Sequence, residues 1–126
     1  MLPSQLVEEV QALYEGGLTS TLSEADGMAN ILITNYPVRS RHYNKATIEL
    51  LLRFPLSYPN GKPDMFWTDE DFVLKSGGVP KGAENFEAHA GKRRRRFSWH
   101  LSSWNPGVDN LLTFLECVEN RLAKQE

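Results

Sequence analysis

Ser98 and His100 stand two residues apart, in a stretch that joins the basic run Lys92-Arg93-Arg94-Arg95-Arg96 to a Trp104-Asn105-Pro106 step. A serine hydroxyl attacks a carbonyl carbon only when a neighbouring group takes its proton, because its own pKa lies far above neutrality. Imidazole titrates near neutrality and suits that exchange. In an extended segment, side chains at i and i+2 project to the same side, so the spacing lets His100 turn toward Ser98. The pair reads as nucleophile and base for acyl transfer through an oxyester, a linkage that resists thiols where a thioester does not. The competing reading makes both residues ordinary polar groups packed between Trp99 and Trp104. Ser102 and Ser103 are weaker candidates, too near the start of the last helix.

The basic run reads first as a solvated loop. Its functional alternative is a positive field that favours an oxyanion at Ser98. A nucleic-acid interface is not expected, because the 126-residue chain carries a net charge of −2 and the run has no interleaved aromatics. A nuclear-import signal matches only as a pattern. Cys117 is the only cysteine, so no internal disulfide forms, and the Cys/His spacings fit no zinc pattern. No metal and no cofactor are expected. No apolar run approaches the ~20 residues that span a bilayer, and no signal-peptide pattern opens the chain. A single cytoplasmic domain over residues 1–126 is expected, with an ordinary globular composition of 40% hydrophobic and 24% charged residues.

Several elements must position the pair. Ser4 is a candidate N-cap for a helix whose stripe is Leu6, Val10 and Leu13, widened by Val7 and Tyr14 and stopped at Gly16-Gly17. Residues 18–26 hold a short edge strand around Thr19 to Leu22. Residues 28–36 alternate as a second strand, ended by Pro37. Residues 45–54 alternate best, with Ala46, Ile48, Leu50, Leu52 and Phe54 on one face. Arg39 to Asn44 is a turn, with His42 and Tyr43 at the surface. A proline-rich corner with an Asn60-Gly61 turn leads to a short strand, Asp64-Met65-Phe66-Trp67-Thr68. Trp67 and Trp104 read as core. Residues 69–103 show little periodicity and read as a long irregular segment. A helix then starts at the Trp104-Asn105-Pro106-Gly107 step, with Val108, Leu111, Leu115, Val118 and Leu122 as its stripe, flanked by Leu112 and Phe114. The class is α+β: N-terminal helix, four-stranded antiparallel meander, irregular segment, C-terminal helix.

Three marks in this order carry a resemblance. They are Phe54-Pro55-Leu56-Ser57-Tyr58-Pro59 with Pro63, then Phe66-Trp67-Thr68, then Trp104-Asn105-Pro106. Together they resemble the ubiquitin-conjugating enzymes, which have a Phe-Pro-x-x-Tyr-Pro corner, a Phe-x-Thr strand and a Trp-x-Pro helix start. The likeness spans about Ser4 to Leu122. It is similar in character to divergent bacterial members encoded beside ubiquitin-like modifiers, whose ends resemble Trp104-Asn105-Pro106-Gly107-Val108-Asp109.

The resemblance implies a UBC-like fold and three partners: a ubiquitin-like modifier, an activating enzyme and a target protein. It makes the basic run a docking surface for an acidic modifier tail or a patch of the activating enzyme. It also suggests a bacterial defence role against phage. The chain departs from the family's pattern at the nucleophile, which is usually a cysteine shortly before Trp-x-Pro, preceded by His-Pro-Asn. Neither is present here; Asn85 and His89 match no part of the tripeptide, and Cys117 falls past the site. Ser98, six residues before Trp104, is left as the nucleophile with His100 as its base. The alternative is a catalytically inactive binding module that positions a modifier or partner enzyme.

Overall fold

A computed structural model describes residues 1–124 and 126. The elements run α1 (Ser4–Glu15), β1 (Ser20–Ala25), β2 (Met28–Pro37), β3 (Thr47–Pro55), β4 (Phe66–Thr68), β5 (Asn85–His89), β6 (Lys92–Phe97) and α2 (Leu111–Leu122). The α+β class is as expected, with an N-terminal helix, an antiparallel sheet and a C-terminal helix. The strand count is not. One six-stranded sheet has the order β1-β2-β3-β4-β6-β5, so the meander of the first four strands is extended by a hairpin.

That hairpin replaces much of the expected irregular segment. A strand betrays itself in sequence by alternating polarity, and Lys92 to Arg96 has none because every residue is charged. The fold still sorts them along the strand: Arg94 and Arg95, on opposite faces, are buried, whereas Lys92 and Arg93 at the turn end are exposed. The turn between β5 and β6 is Ala90-Gly91, with φ of 51° and 84°, the left-handed pair that a tight hairpin needs. Asp26-Gly27 makes the same turn between β1 and β2, with φ of 56° and 73°.

Both helices pack on one face of the sheet. Leu6, Val10 and Leu13 of α1 and Leu111, Phe114, Leu115, Val118 and Leu122 of α2 share a cluster with Ile31, Ile33, Ile48, Leu50, Leu52, Phe54, Phe66 and Phe97. Each such side chain contributes about 1.5–3 kcal/mol by leaving water. Tyr43 joins them: it is 2% exposed and stacked on Phe72, not at the surface. Leu51 and Trp67 are buried outside this cluster, so the opposite face has a small covered patch of its own. No helix among the described residues is long and apolar enough to cross a membrane.

The helix boundaries correct three expectations. Pro3, not Ser4, is the N-cap of α1, and Val7 and Tyr14 stay 45% and 59% exposed. The last helix starts at Leu111, not at the Trp104 step. Asn105 closes a turn instead: its carbonyl accepts from the amides of Val108 (2.9 Å) and Asp109 (2.7 Å), and its own amide donates to Asp109 Oδ2 (2.7 Å). Asn110 and Thr113 then form a reciprocal capping box, which satisfies amide groups that a bare helix end leaves orphaned. Val108 therefore lies outside the helix and, like Leu112, is exposed. The two aromatic marks do meet: Trp104 Nε1 donates to the Pro59 carbonyl at 2.7 Å, tying the proline corner to the segment before α2.

Candidate active site

Ser98 follows directly on β6, where two neighbours hold the backbone. On one side its amide donates to the Gly82 carbonyl at 2.8 Å; on the other, the Met65 amide donates to the Trp99 carbonyl at 3.0 Å. Gly82 is a residue this approach requires. Its φ is +79°, and a Cβ there would sit 3.3 Å from the Ser98 carbonyl oxygen. The carbonyls flanking Gly82 are pinned as well, Lys81 O by Arg121 Nη2 and Ala83 O by Arg95 Nη1, both at 2.6 Å. Two buried guanidiniums thus fix the loop that borders the serine.

The side chain of Ser98 is half-buried and lies on the face away from the helices, in line with Arg94 and Arg96. Arg96 Nε donates to Ser98 Oγ at 3.1 Å, and Arg96 Nη1 pairs with Glu87 Oε2 at 2.6 Å. The other Glu87 oxygen accepts from Trp67 Nε1 and meets His89 Nε2, each at 3.0 Å. Burial pushes the Glu87 carboxyl up, but hydrogen bonds from His89, Arg96 and Trp67 outweigh it and hold it below the ordinary glutamate value. The hydroxyl oxygen therefore accepts from a cation that is itself held in place. Such a cation stabilises negative charge developing on or beside that oxygen.

His100 is 65% exposed, and its Nδ1 lies 2.7 and 2.9 Å from the two carboxylate oxygens of Asp64. No hydrogen bond joins Ser98 to His100 among the described residues. The structure gives each of them a charged partner instead. Asp64, Arg96 and Glu87 were not legible as site residues, because their contacts depend on the pairing of β6 with β4 and β5. Arg96 sat inside a run that read as a loop.

The basic run is not a free positive surface. Lys92 and Arg94 both reach Glu49 Oε1 at 3.0 Å, Arg93 meets Glu70 at 2.8 Å, and Arg96 meets Glu87. Arg95 spends two nitrogens on the carbonyls of Ala83 and Glu70. Upstream, Asn85 is exposed on β5 opposite Arg96, and His89 packs edge-on against Trp67; among the described residues Ser98 Oγ bonds to Arg96 and to neither of them. Cys117 is partly buried on α2; burial, then the charges of Asp109 and Glu116, pushes its thiol up, the wrong direction for a nucleophile.

Acid should loosen this face. Burial raises the Glu49 carboxyl, but hydrogen bonds from Lys92 and Arg94 outweigh it, so Glu49, like Glu87, titrates below its ordinary value of 4.5. A carboxyl lowered by folding stabilises the native state above its unfolded pKa and loses that contribution as pH falls through the folded value. The thermal midpoint should therefore fall below about pH 4.5, and fall less in a Glu49→Gln, Glu87→Gln double variant. Parallel midpoint curves for the two proteins would contradict this.

Residues 6–125 match the family model described as Prokaryotic E2 family E. No curated protein and no solved structure matches the chain.

Proposed function

The chain belongs to prokaryotic E2 family E, and from that premise we propose that it is a conjugating enzyme: it accepts a ubiquitin-like modifier from an activating enzyme as an oxyester on Ser98 and passes it to a target amine. The observation that carries this reading is the held pair of Arg96 and Ser98, a hydroxyl oxygen 3.1 Å from a guanidinium that Glu87 fixes in place. The sequence supports it too, since the one cysteine lies in α2 and leaves no thiol in the segment before Trp104.

In the first step, Ser98 Oγ attacks the thioester carbonyl that links the modifier to the activating enzyme. His100 takes the hydroxyl proton through Nε2. The Arg96 charge opposes the negative charge of the tetrahedral intermediate, which collapses by expelling the thiolate, and the thiolate takes up the proton. In the second step, a target amine attacks the ester carbonyl and loses a proton to the neutral His100 Nε2. The bond to Oγ breaks, and the serine oxygen takes that proton back from the imidazolium, so the enzyme is regenerated and an amide is formed.

The test is direct. Incubated with its activating enzyme, ATP and modifier, the protein should gain an adduct that survives thiol reductant and is cleaved by mild alkali. No adduct from an upstream enzyme that charges itself normally would contradict the reading. The lack of a direct bond between Ser98 and His100 favours a second reading, an inactive module that holds the modifier without a covalent link. Catalytic hydrogen bonds often close only when substrate is bound, so loading kinetics decide between the two. His100→Ala should slow adduct formation by about 10²–10⁴-fold. Its thermal midpoint should not move, because the ring is exposed. Loading at the parent rate would remove His100 from the mechanism.

A further inference from the structure

We infer that Asp64 is a positioning residue for this reaction: its carboxylate holds the His100 imidazole in the tautomer protonated on Nδ1 and so leaves Nε2 as the base. The inference rests on the reading of His100 as the proton acceptor for Ser98. An ionised carboxylate has only acceptor atoms, so the ring nitrogen facing it must carry the proton. His100 Nδ1 lies 2.9 and 2.7 Å from Oδ1 and Oδ2 of Asp64, within hydrogen-bond reach of both. A neutral ring with its proton on Nδ1 has its lone pair on Nε2. A neutral imidazole with no partner favours the opposite tautomer, in which Nε2 carries the proton and cannot act as a base. The carboxylate therefore selects the competent form and fixes the ring's rotation.

The backbone is built to make this pairing. β4 and β6 pair Phe66 with Phe97 and Trp67 with Arg96. Continued without change, that register would set Asp64 opposite Trp99. The bond from the Met65 amide to the Trp99 carbonyl, 3.0 Å, advances the pairing by one residue and brings Asp64 across from His100. Met65 absorbs the shift with φ of 58°, a left-handed backbone that a non-glycine side chain rarely adopts. An extra residue at a strand end re-aims a side chain, and such irregularities collect at active sites. Pro63, buried beside Asp64, restricts the backbone leading into it.

The experiment uses the full chain labelled with ¹⁵N, at about pH 8. Long-range proton–nitrogen correlation spectra report which ring nitrogen carries the proton. In the parent, His100 should show the proton on Nδ1, and in Asp64→Ala it should move toward Nε2. A parent ring protonated on Nε2, or a spectrum that Asp64→Ala leaves unchanged, would overturn the inference. A kinetic arm runs beside it. Asp64→Ala and Asp64→Asn should lower the saturated rate of adduct formation about 10–100-fold, the half-saturating concentration of charged activating enzyme staying the same. Asp64→Glu should restore most of the rate. If the parent loads and Asp64→Ala loads equally well, Asp64 has no role while Ser98 keeps its own. If the parent forms no adduct, the reading of Ser98 fails, and the spectra alone decide whether Asp64 sets the tautomer.

Discussion

Ser98→Ala should form no adduct with the modifier, while its thermal midpoint and its binding to the activating enzyme stay near the parent values. In the proposed reaction the hydroxyl is the bond-forming atom, and no neighbour is placed to substitute for it. Ser102 and Ser103 are exposed several residues further along, and Cys117 lies in α2 with its thiol pushed up. Folding should be only slightly weakened by the change. Ser98 is half-buried, its removal costs Arg96 one of two partners, and Arg96 keeps its ion pair with Glu87 at 2.6 Å. The loss of one such hydrogen bond is about 1 kcal/mol. Intact mass of the loading mixture is the measurement. An adduct at parent yield in Ser98→Ala would move the ester, if there is one, to another residue.

Arg94→Ala should be among the most destabilising single changes on the sheet's outer face. Arg94 is 1% exposed and uses every part of its fork: Nη1 on Glu49 at 3.0 Å, Nε on the His89 carbonyl at 2.9 Å and Nη2 on the Ala90 carbonyl at 3.2 Å. It therefore closes the β5–β6 turn and joins the hairpin to β3. Truncation strands two carbonyls, leaves Glu49 with Lys92 alone and opens a cavity. Removing one partner of a buried pair costs about 3–5 kcal/mol; since Glu49 keeps one cation, about 3 kcal/mol is expected. That is a fall in thermal midpoint of about 10 °C for a domain of this size. Arg93→Ala, at a position 60% exposed on the same strand, should cost at most about 1 kcal/mol. Lysine should not rescue Arg94, because a single ammonium cannot reproduce the fork. A midpoint for Arg94→Ala within about 2 °C of the parent would show that the run is a solvated loop after all.

The contrast between these neighbours shows where sequence reading stops. β2 and β3 were legible because Ile31, Ile33, Leu50 and Leu52 alternate with residues that face the other way, and α1 because Leu6, Val10 and Leu13 keep helical spacing. β6 was not. Five successive cations carry no polarity period, and arginine can be buried when its fork is satisfied by carbonyls and a carboxylate. Its partner β5 was lost with it, although Ala90-Gly91 is a plausible two-residue turn. The start of α2 was misplaced because Trp104-Asn105-Pro106 resembles a helix start, while Asn110 and Thr113 form the cap. At the site, Ser98 and His100 stood out by type and spacing, but the groups that give them chemistry are remote in sequence. Asp64 meets His100 only through a one-residue shift at Met65. Glu87 meets Arg96 only across the hairpin.

The central claim is that the modifier rides on the oxygen of Ser98, and Ser98→Cys tests it most directly. The exchange puts sulfur where the oxygen is, so the linkage should change with the atom. The parent adduct should survive thiol reductant and yield to mild alkali; the Ser98→Cys adduct should be released by reductant. If the Ser98→Cys protein still carries a reductant-resistant, alkali-labile adduct at parent yield, the ester is not on this residue and the account is wrong.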